Sequence, residues 1–415
     1  MTIHSNRSYL QKHRFAERQI TNPPSEQLGI VIVIPSYCES NMLDTLNSLE
    51  ACSVPQQRVE VIIIINSGVH EQEAVQILNK RTLEEVESWI QDHETSSIAY
   101  YVLHFPHLPR KQAGVGLARK IGMDEAVDRF EQAGQVDGVI VCLDADTTVA
   151  SNYLVEIERH FSKYPQIQAC SIYFEHPLAG ETYEAEIYEG IIRYELFLRY
   201  YIQALRFAAY PYAFHTIGSA MAVRSGAYQS QGGMNRRKAG EDFYFLQKFI
   251  QLAKLNELNT TTVYPSPRSA EKVPFGTGRA IQQWLAQEEK EYLVYALNSF
   301  QDLRKFLTIV PDLYEQDIHE YPDSIGAFLR QEEFFNQHLP ELRKHVSSQQ
   351  AFNKRFFRWF DGLKVLKFIH FARDHYYPNE DIEVVAYQLY ALCHDDNPPA
   401  YPLKKLLLIY RDWQR

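Results

Sequence analysis

The sequence is short of cysteine and has no long apolar run. Its five cysteines, Cys38, Cys52, Cys142, Cys170 and Cys393, are scattered, with no CxxC pair and no zinc-ligand spacing. This excludes a disulfide scaffold and a zinc module, and leaves reduced thiols in a cytoplasmic setting as the expectation. No stretch approaches the ~20 apolar residues of a membrane span. The longest runs, Ile30–Ile34 and Val61–Ile65, have the length of buried strands. The opening residues, MTIHSNRSYLQKHRF, lack the apolar segment of a secretory leader, so only peripheral membrane contact stays open. A dense Lys/Arg tract is also missing, and the net charge is −10. Duplex nucleic acid is therefore excluded as the main partner, because phosphate backbones demand a basic surface. A few local cations and backbone amides would still suffice to grip a diphosphate.

What is present is ordinary globular composition, 45% hydrophobic and 23% charged, over 415 residues. That length exceeds what one core usually holds. After a polar start ending at Asn22-Pro23-Pro24, LGIVIVIPSYCES reads as a strand buried on both faces, since its apolar residues run together instead of alternating. Helical spacing follows at Leu43, Leu46 and Leu49. Further strands are predicted over Val59–Ile65, Ile98–Leu103 and Gly138–Leu143, with helices between them and over Gly116–Phe130. This rhythm predicts an α/β fold, a doubly wound and mainly parallel sheet flanked by helices. From Ala280 onward the text is helical, broken at prolines such as Pro311, Pro322 and Pro340, and forms a C-terminal helical appendage. A long helix is also expected over Glu189–Tyr210, largely buried because Glu195, Arg199, Gln203 and Arg206 leave only one polar stripe on an apolar and aromatic cylinder; Glu195 ahead of Arg199 is the favourable order for a surface pair.

In such sheets ligands bind beyond the carboxyl ends of the strands. Three polar constellations fall there: Pro35-Ser36-Tyr37-Cys38-Glu39, Asn66-Ser67, and Asp144-Ala145-Asp146. Two carboxylates at i and i+2 point to one side, and their hard oxygens suit Mg²⁺ or Mn²⁺ completed by substrate phosphates. The plainer reading is that they cap a helix. Gly240-Glu241-Asp242 opens the helical segment EDFYFLQKFI. Acidic residues belong in a first turn for dipole reasons alone, or one of them is a general base for a hydroxyl. Small residues in His215-Thr216-Ile217-Gly218-Ser219 would let backbone approach a ligand. Arg268, Lys272 and Arg279 surround a Gly-rich turn that could clamp phosphates, or are merely solvated. Gly114-Val115-Gly116 lacks the third glycine of a dinucleotide fingerprint, which argues against a Rossmann dehydrogenase. The aromatic stretch Tyr183–Phe214 offers an acceptor wall, or is core.

Taken in order, VIPSYCES, IIINS, GVGLARKIGMDEA, VCLDADT, IGSAMAVRSGAY and GEDFYFLQKF resemble a family 2 glycosyltransferase of the GT-A fold, over Leu28 to Arg279. The resemblance implies transfer of a sugar from a nucleotide-diphospho-sugar donor to a hydroxyl acceptor (saccharide, lipid-linked or small molecule), with inversion and with Mg²⁺ or Mn²⁺. It implies that Pro35, Tyr37 and Glu39 line the nucleotide pocket and that Arg119 faces the donor. Asp146 would ligate the metal, and Asp144 the metal or the ribose. Asp242 would be the base and Glu241 would support the acceptor. His215, Gly218, Ser219, Arg268, Lys272 and Arg279 are the further candidates for diphosphate or acceptor contacts. Asn66 stands where the family more often places an aspartate that reads the nucleobase, and Lys120 where it commonly has asparagine. The expected organisation is a polar extension over 1–27, a transferase domain over 28–279 (nucleotide half 28–150, acceptor half 151–279) and a helical region over 280–415. The alternatives are a sugar-phosphate nucleotidyltransferase, which PSYCES disfavours for want of glycine, and a non-catalytic transferase-like binding module.

Overall fold

The apolar run that begins at Leu28 forms β1 (Leu28–Ser36), buried along its whole length, in a computed structural model describing residues 4–270, 275–317, 320–394 and 401–415. The strands that follow are β2 (Arg58–Gly68), β3 (Ile98–Leu108), β4 (Val139–Cys142), β5 (Thr147–Val149), β6 (Ala169–Phe174), β7 (Met221–Arg224) and β8 (Leu255–Pro265). They join in one eight-stranded sheet of order β3-β2-β1-β4-β7-β6-β8-β5. Interleaved with them are α1 (His4–His13), α2 (Met42–Glu50), α3 (Glu73–Asp92), α4 (Val115–Gln132), α5 (Tyr153–Lys163), α6 (Ala185–Phe207), α7 (Ser225–Ser230) and α8 (Glu241–Ile250). Beyond β8 come α9 (Thr277–Leu285), α10 (Leu297–Ile309), α11 (Asp323–Gln331), α12 (Leu339–Arg343), α13 (Gln349–Trp359), α14 (Gly362–His375), α15 (Ile382–His394) and α16 (Leu403–Gln414). The described residues divide into two compact units, one drawn from 1–177, 216–267 and 272–276, the other from 178–215, 268–271 and 277–415.

In the first unit, β3, β2, β1 and β4 run parallel, so their carboxyl ends meet on one side. Ile62 to Ile65 are wholly buried in β2, each worth about 1.5–3 kcal/mol over exposure. β7 runs antiparallel to both β4 and β6, and β5 runs antiparallel to β8. The sheet is therefore mixed rather than a parallel array throughout. A strand whose first residue, Met221, pairs with Cys142 at the carboxyl end of β4 must run back the other way. That reversal carries the segment before β7 to the same rim as the Asp144 loop.

Helix α4 is buried from Gly116 to Phe130, which explains why its sequence shows no clean polar face. Gly122 lets it settle on the sheet, because a Cβ there would collide with Val33. Each of its buried charges has a partner. Arg129 grips Glu60 of β2 with two bonds of 2.7 and 2.6 Å, and Lys120 pairs with Asp124 at 2.9 Å. The polar N-terminal stretch supplies partners for Asp124, Glu125 and Asp128. The Tyr9 hydroxyl donates to Asp124 at 2.9 Å, and Arg14 and Arg18 bind Asp128 at 3.0 and 2.7 Å. The amides of Gln19 and Ile20 donate to Glu125.

The second unit is helical around a core that includes Leu196, Phe300, Phe306, Phe356, Phe368 and Tyr410. It takes in α6, which lies earlier in sequence than the sheet's last strands. Helix α6 is largely buried, as its apolar cylinder predicts, and its Glu195 and Arg199 are fully buried and so do not form a surface pair. Arg411 from α16 completes the pair with two bonds of 2.8 Å to Glu195. Pro340 sits in the first turn of α12, where its missing amide costs no α-helical bond.

Candidate active site

The three loops anticipated at the carboxyl ends of β1, β2 and β4 do share one rim. Pro35 lies inside β1 opposite Ile64, and the chain leaves the sheet at Tyr37 and Cys38. Cys38 adopts a left-handed backbone, φ 52°, and two residues of α3 hold the bend. Asn79 accepts from the Cys38 amide at 2.9 Å and donates to the Asn66 carbonyl at 3.2 Å. Thr82 donates to the Glu39 carbonyl at 2.8 Å. Asn79 thus ties the end of β1 to the end of β2. Sequence reading missed both residues; a buried asparagine and threonine inside an amphipathic helix were the available signal. Burial, and then a hydrogen bond with Glu71, raise the Tyr37 phenol pKa above its ordinary value, so it stays protonated. Glu39 and Asn66 are buried.

At the end of β4 the burial alternates: Asp144 partly exposed, Ala145 buried, Asp146 partly exposed. Thr45 fixes the turn by donating to the Ala145 carbonyl at 2.9 Å. Asp144 and Asp146 thus both keep part of their surface at this end of the strand, Asp146 within the turn that leads to β5. Arg119, at 3% exposure, projects from the second turn of α4 and its guanidinium bridges Asp144 and Glu241. Gly218 makes room for it, since a Cβ there would occupy the guanidinium's place. Gly240, with φ 68°, turns the chain into α8 so that Glu241 opens the helix. Glu241 is buried, and Asn235 donates to its backbone carbonyl at 2.9 Å. Asp242 is partly exposed, and its carboxylate accepts from the Phe243 amide at 2.7 Å.

The electrostatics follow from one buried cation among three carboxylates. Burial alone would make Arg119 easier to deprotonate, but Asp144 and Glu241 outweigh it and raise its pKa. Arg119 is a fixed positive charge. Burial raises the Asp242 pKa above the usual carboxylate range; the nearby Arg119 and the amides of Phe243 and Gly218 pull against that rise, and Asp144 adds to it. Glu241 is raised for the same first reason, with Arg119 opposing and Asp242 reinforcing. A carboxylate of raised basicity next to a pinned cation can accept a proton at the rim while charge elsewhere stays balanced.

Among the described residues no group of three or more His, Cys, Asp or Glu is set to hold a metal ion. The donor set at Asp144 and Asp146 nevertheless fits a hard divalent cation of the Mg²⁺ type, which takes one or two carboxylates and leaves the rest of its shell to waters and phosphate oxygens. Gly218, before β7, lies against the Arg119 guanidinium and its backbone amide reaches Asp242, and the neighbouring Ser219 is buried. His215, Arg268 and Arg279 belong to the second unit. His215 bonds to Gln414 at 3.2 Å; burial, with Arg199 and Arg206 nearby, lowers its pKa to about 3, so it is neutral. Arg279 donates to Gln282 at 2.6 Å. Lys272 lies outside the described residues. Of the aromatic stretch at 183–214, Tyr200 and Tyr210 are core of the second unit.

The architecture is a mixed eight-stranded sheet flanked by helices, with further helices at the C-terminus. Residues 139–314 match the model of the glycosyl transferase family group 2. No curated protein matches the chain. Solved structures with similarity to it include S. aureus TarS 1-349 in complex with UDP-GlcNAc, 13% identical over 89% of this chain and 93% of that one, with a TM-score of 0.40. Full S. aureus TarS is 13% identical over 94% of this chain and 55% of that one, with a TM-score of 0.37. No helix among the described residues is long and apolar enough to cross a membrane.

Proposed function

We propose that this chain moves a sugar from a nucleotide-diphospho-sugar to a hydroxyl acceptor, with inversion and with the help of Mg²⁺ or Mn²⁺. The observation that carries the reading is the gathering of Asp144, Arg119, Glu241 and Asp242 at the carboxyl ends of the parallel strands, in a chain whose residues 139–314 match a glycosyl transferase family model. Pro35, Tyr37, Glu39 and Asn66 receive the nucleoside on the rim held by Asn79 and Thr82. Asp144 and Asp146 present carboxylate oxygens beside the diphosphate, where a bound divalent cation supplies charge neutralisation for the leaving group. Arg119 keeps Asp144 and Glu241 in place.

Asp242 is the base. It takes the proton of the acceptor hydroxyl as that oxygen bonds to the anomeric carbon, while the bond from that carbon to the phosphate oxygen breaks and the nucleoside diphosphate leaves. Its raised pKa suits it to this work, since proton acceptors are most effective when their pKa approaches the working pH. Glu241, buried and tied to Arg119, positions instead of accepting. The free thiols fit a reducing, cytoplasmic setting. Thermal denaturation against a panel of nucleotide sugars, with and without Mn²⁺, tests the donor assignment. The matching donor at a hundred times its dissociation constant should add ~2.7 kcal/mol of stability. A panel on which no nucleotide sugar stabilises the protein, with Mn²⁺ present, overturns it.

A further inference from the structure

A groove of about 220 Å³ runs along the second unit, beside α6, α9 and the residues leading into β9 (Leu293–Val294). Its floor is aromatic: Phe197 from α6, Trp284 from α9, and Tyr292 and Tyr295. Phe197 lies 6.4 Å from Tyr292 and 6.1 Å from Tyr295, and Trp284 lies 6.5 Å from Tyr292, measured between ring centres. The rings are tilted by 44° to 58°, so none closes its neighbour's face by stacking. Phe197, Tyr292 and Tyr295 keep part of their surface in solvent, whereas Trp284 is covered by Arg193 and Lys290 and serves as backing.

The rim is polar. Gln283, Gln287 and Asn379 are exposed amides on the groove, joined by the carboxylate of Glu291. Each amide both donates and accepts, as a sugar hydroxyl does. Among the described residues the cations at the groove are all engaged: Arg373 by Asp374 through bonds of 2.7 and 3.1 Å, Lys290 by Glu186 at 2.5 Å and Arg193 by Glu383 at 3.6 Å. A phosphate or nucleotide would therefore find no free positive charge here, and a purely apolar guest would strand the amides. The volume is below the ~300–1,000 Å³ of a closed drug-sized site, which suits a surface groove gripping one or two rings of a longer chain.

We infer that this groove binds a neutral oligosaccharide, its pyranose faces against Phe197, Tyr292 and Tyr295 and its hydroxyls on Gln283, Gln287 and Asn379. The inference deepens the transferase reading by naming a saccharide as the class of molecule the protein holds, at a place separate from the acidic cluster. The full chain is applied to an array of neutral oligosaccharides that includes cellohexaose, maltohexaose and chitohexaose, and the bound glycan is then titrated by calorimetry. Wild type binds at least one. Phe197→Ala and Tyr292→Ala weaken that binding more than tenfold. Because those rings also pack, the exposed double variant Gln283→Ala/Gln287→Ala is measured as well; it weakens binding at least about fivefold with an unchanged circular dichroism spectrum. Nucleoside diphosphate and Mn²⁺ leave the affinity unaltered, and groove variants leave nucleotide affinity unaltered. An array on which nothing binds, or rim variants that bind as tightly as wild type, overturns the groove while leaving the transfer site standing. Failure of nucleotide sugars to bind, with glycan binding intact, removes the transfer reading and not the groove.

Discussion

Replacing Arg119 by methionine keeps most of the side chain's volume and removes its charge. In the wild type the guanidinium, 4% exposed, faces Glu241 at 3% exposure and Asp144 at 39%. Asp144 can rehydrate when the cation goes, so its loss resembles that of a surface pair, about 0–1 kcal/mol. Glu241 cannot rehydrate. Breaking a buried pair by deleting one partner costs about 3–5 kcal/mol, a large part of the ~5–15 kcal/mol that holds a typical protein folded. The cost depends on pH with a definite sign. Burial already raises the Glu241 pKa in the wild type, and losing Arg119 raises it further. A carboxyl with a raised folded pKa destabilises only once ionised. The penalty is therefore smallest below the ordinary glutamate pKa and grows as pH rises through the window up to the raised value. Urea denaturation of the variant from pH 4 to pH 8 measures this. A loss below about 1 kcal/mol at pH 7, or a loss that shrinks as pH rises, refutes the buried bridge.

Asp146→Ala should abolish Mn²⁺-dependent binding of nucleoside diphosphate in a calorimetric titration while the thermal transition stays within a few degrees; unchanged affinity removes Asp146 from the metal site. Gly218→Ala places a methyl where the Arg119 guanidinium lies, and the crowding should cost about 1–3 kcal/mol with a drop in turnover; wild-type stability would mean Arg119 is free to move aside. Glu241→Gln should lower turnover less than a change at Asp242, because Glu241 is tied to Arg119; the opposite order in steady-state rates would exchange their roles.

Much of the first unit could be read from sequence because its signals are local. A strand covered on both faces is written as a continuous apolar run, and β1 and β2 are such runs. The Asp144-Ala145-Asp146 alternation and the Gly240 turn into Glu241 are likewise set by neighbours in the chain. What escaped depends on partners far away in sequence. Lys120, at a position that looked like a departure, is half of a buried pair with Asp124, which Tyr9 also reaches across 115 residues. Glu195 and Arg199 look like a surface pair until Arg411 arrives from 216 residues further on. The antiparallel course of β7 is invisible in four residues, yet it delivers Gly218 to the site. Asn79 and Thr82 were hidden because their task is on another element's backbone.

The central claim, sugar transfer with Asp242 as base, meets its most direct test in one assay: release of nucleoside diphosphate from nucleotide sugars with Mn²⁺ and a panel of hydroxyl acceptors, wild type against Asp242→Asn. The amide keeps the shape of the side chain and loses the proton acceptor. Wild type should turn over at least one donor, and Asp242→Asn should fall by about 10²–10⁴-fold while binding the nucleoside diphosphate with unchanged affinity. A wild-type protein that releases nothing from any donor, or a variant that turns over at the wild-type rate, contradicts the account.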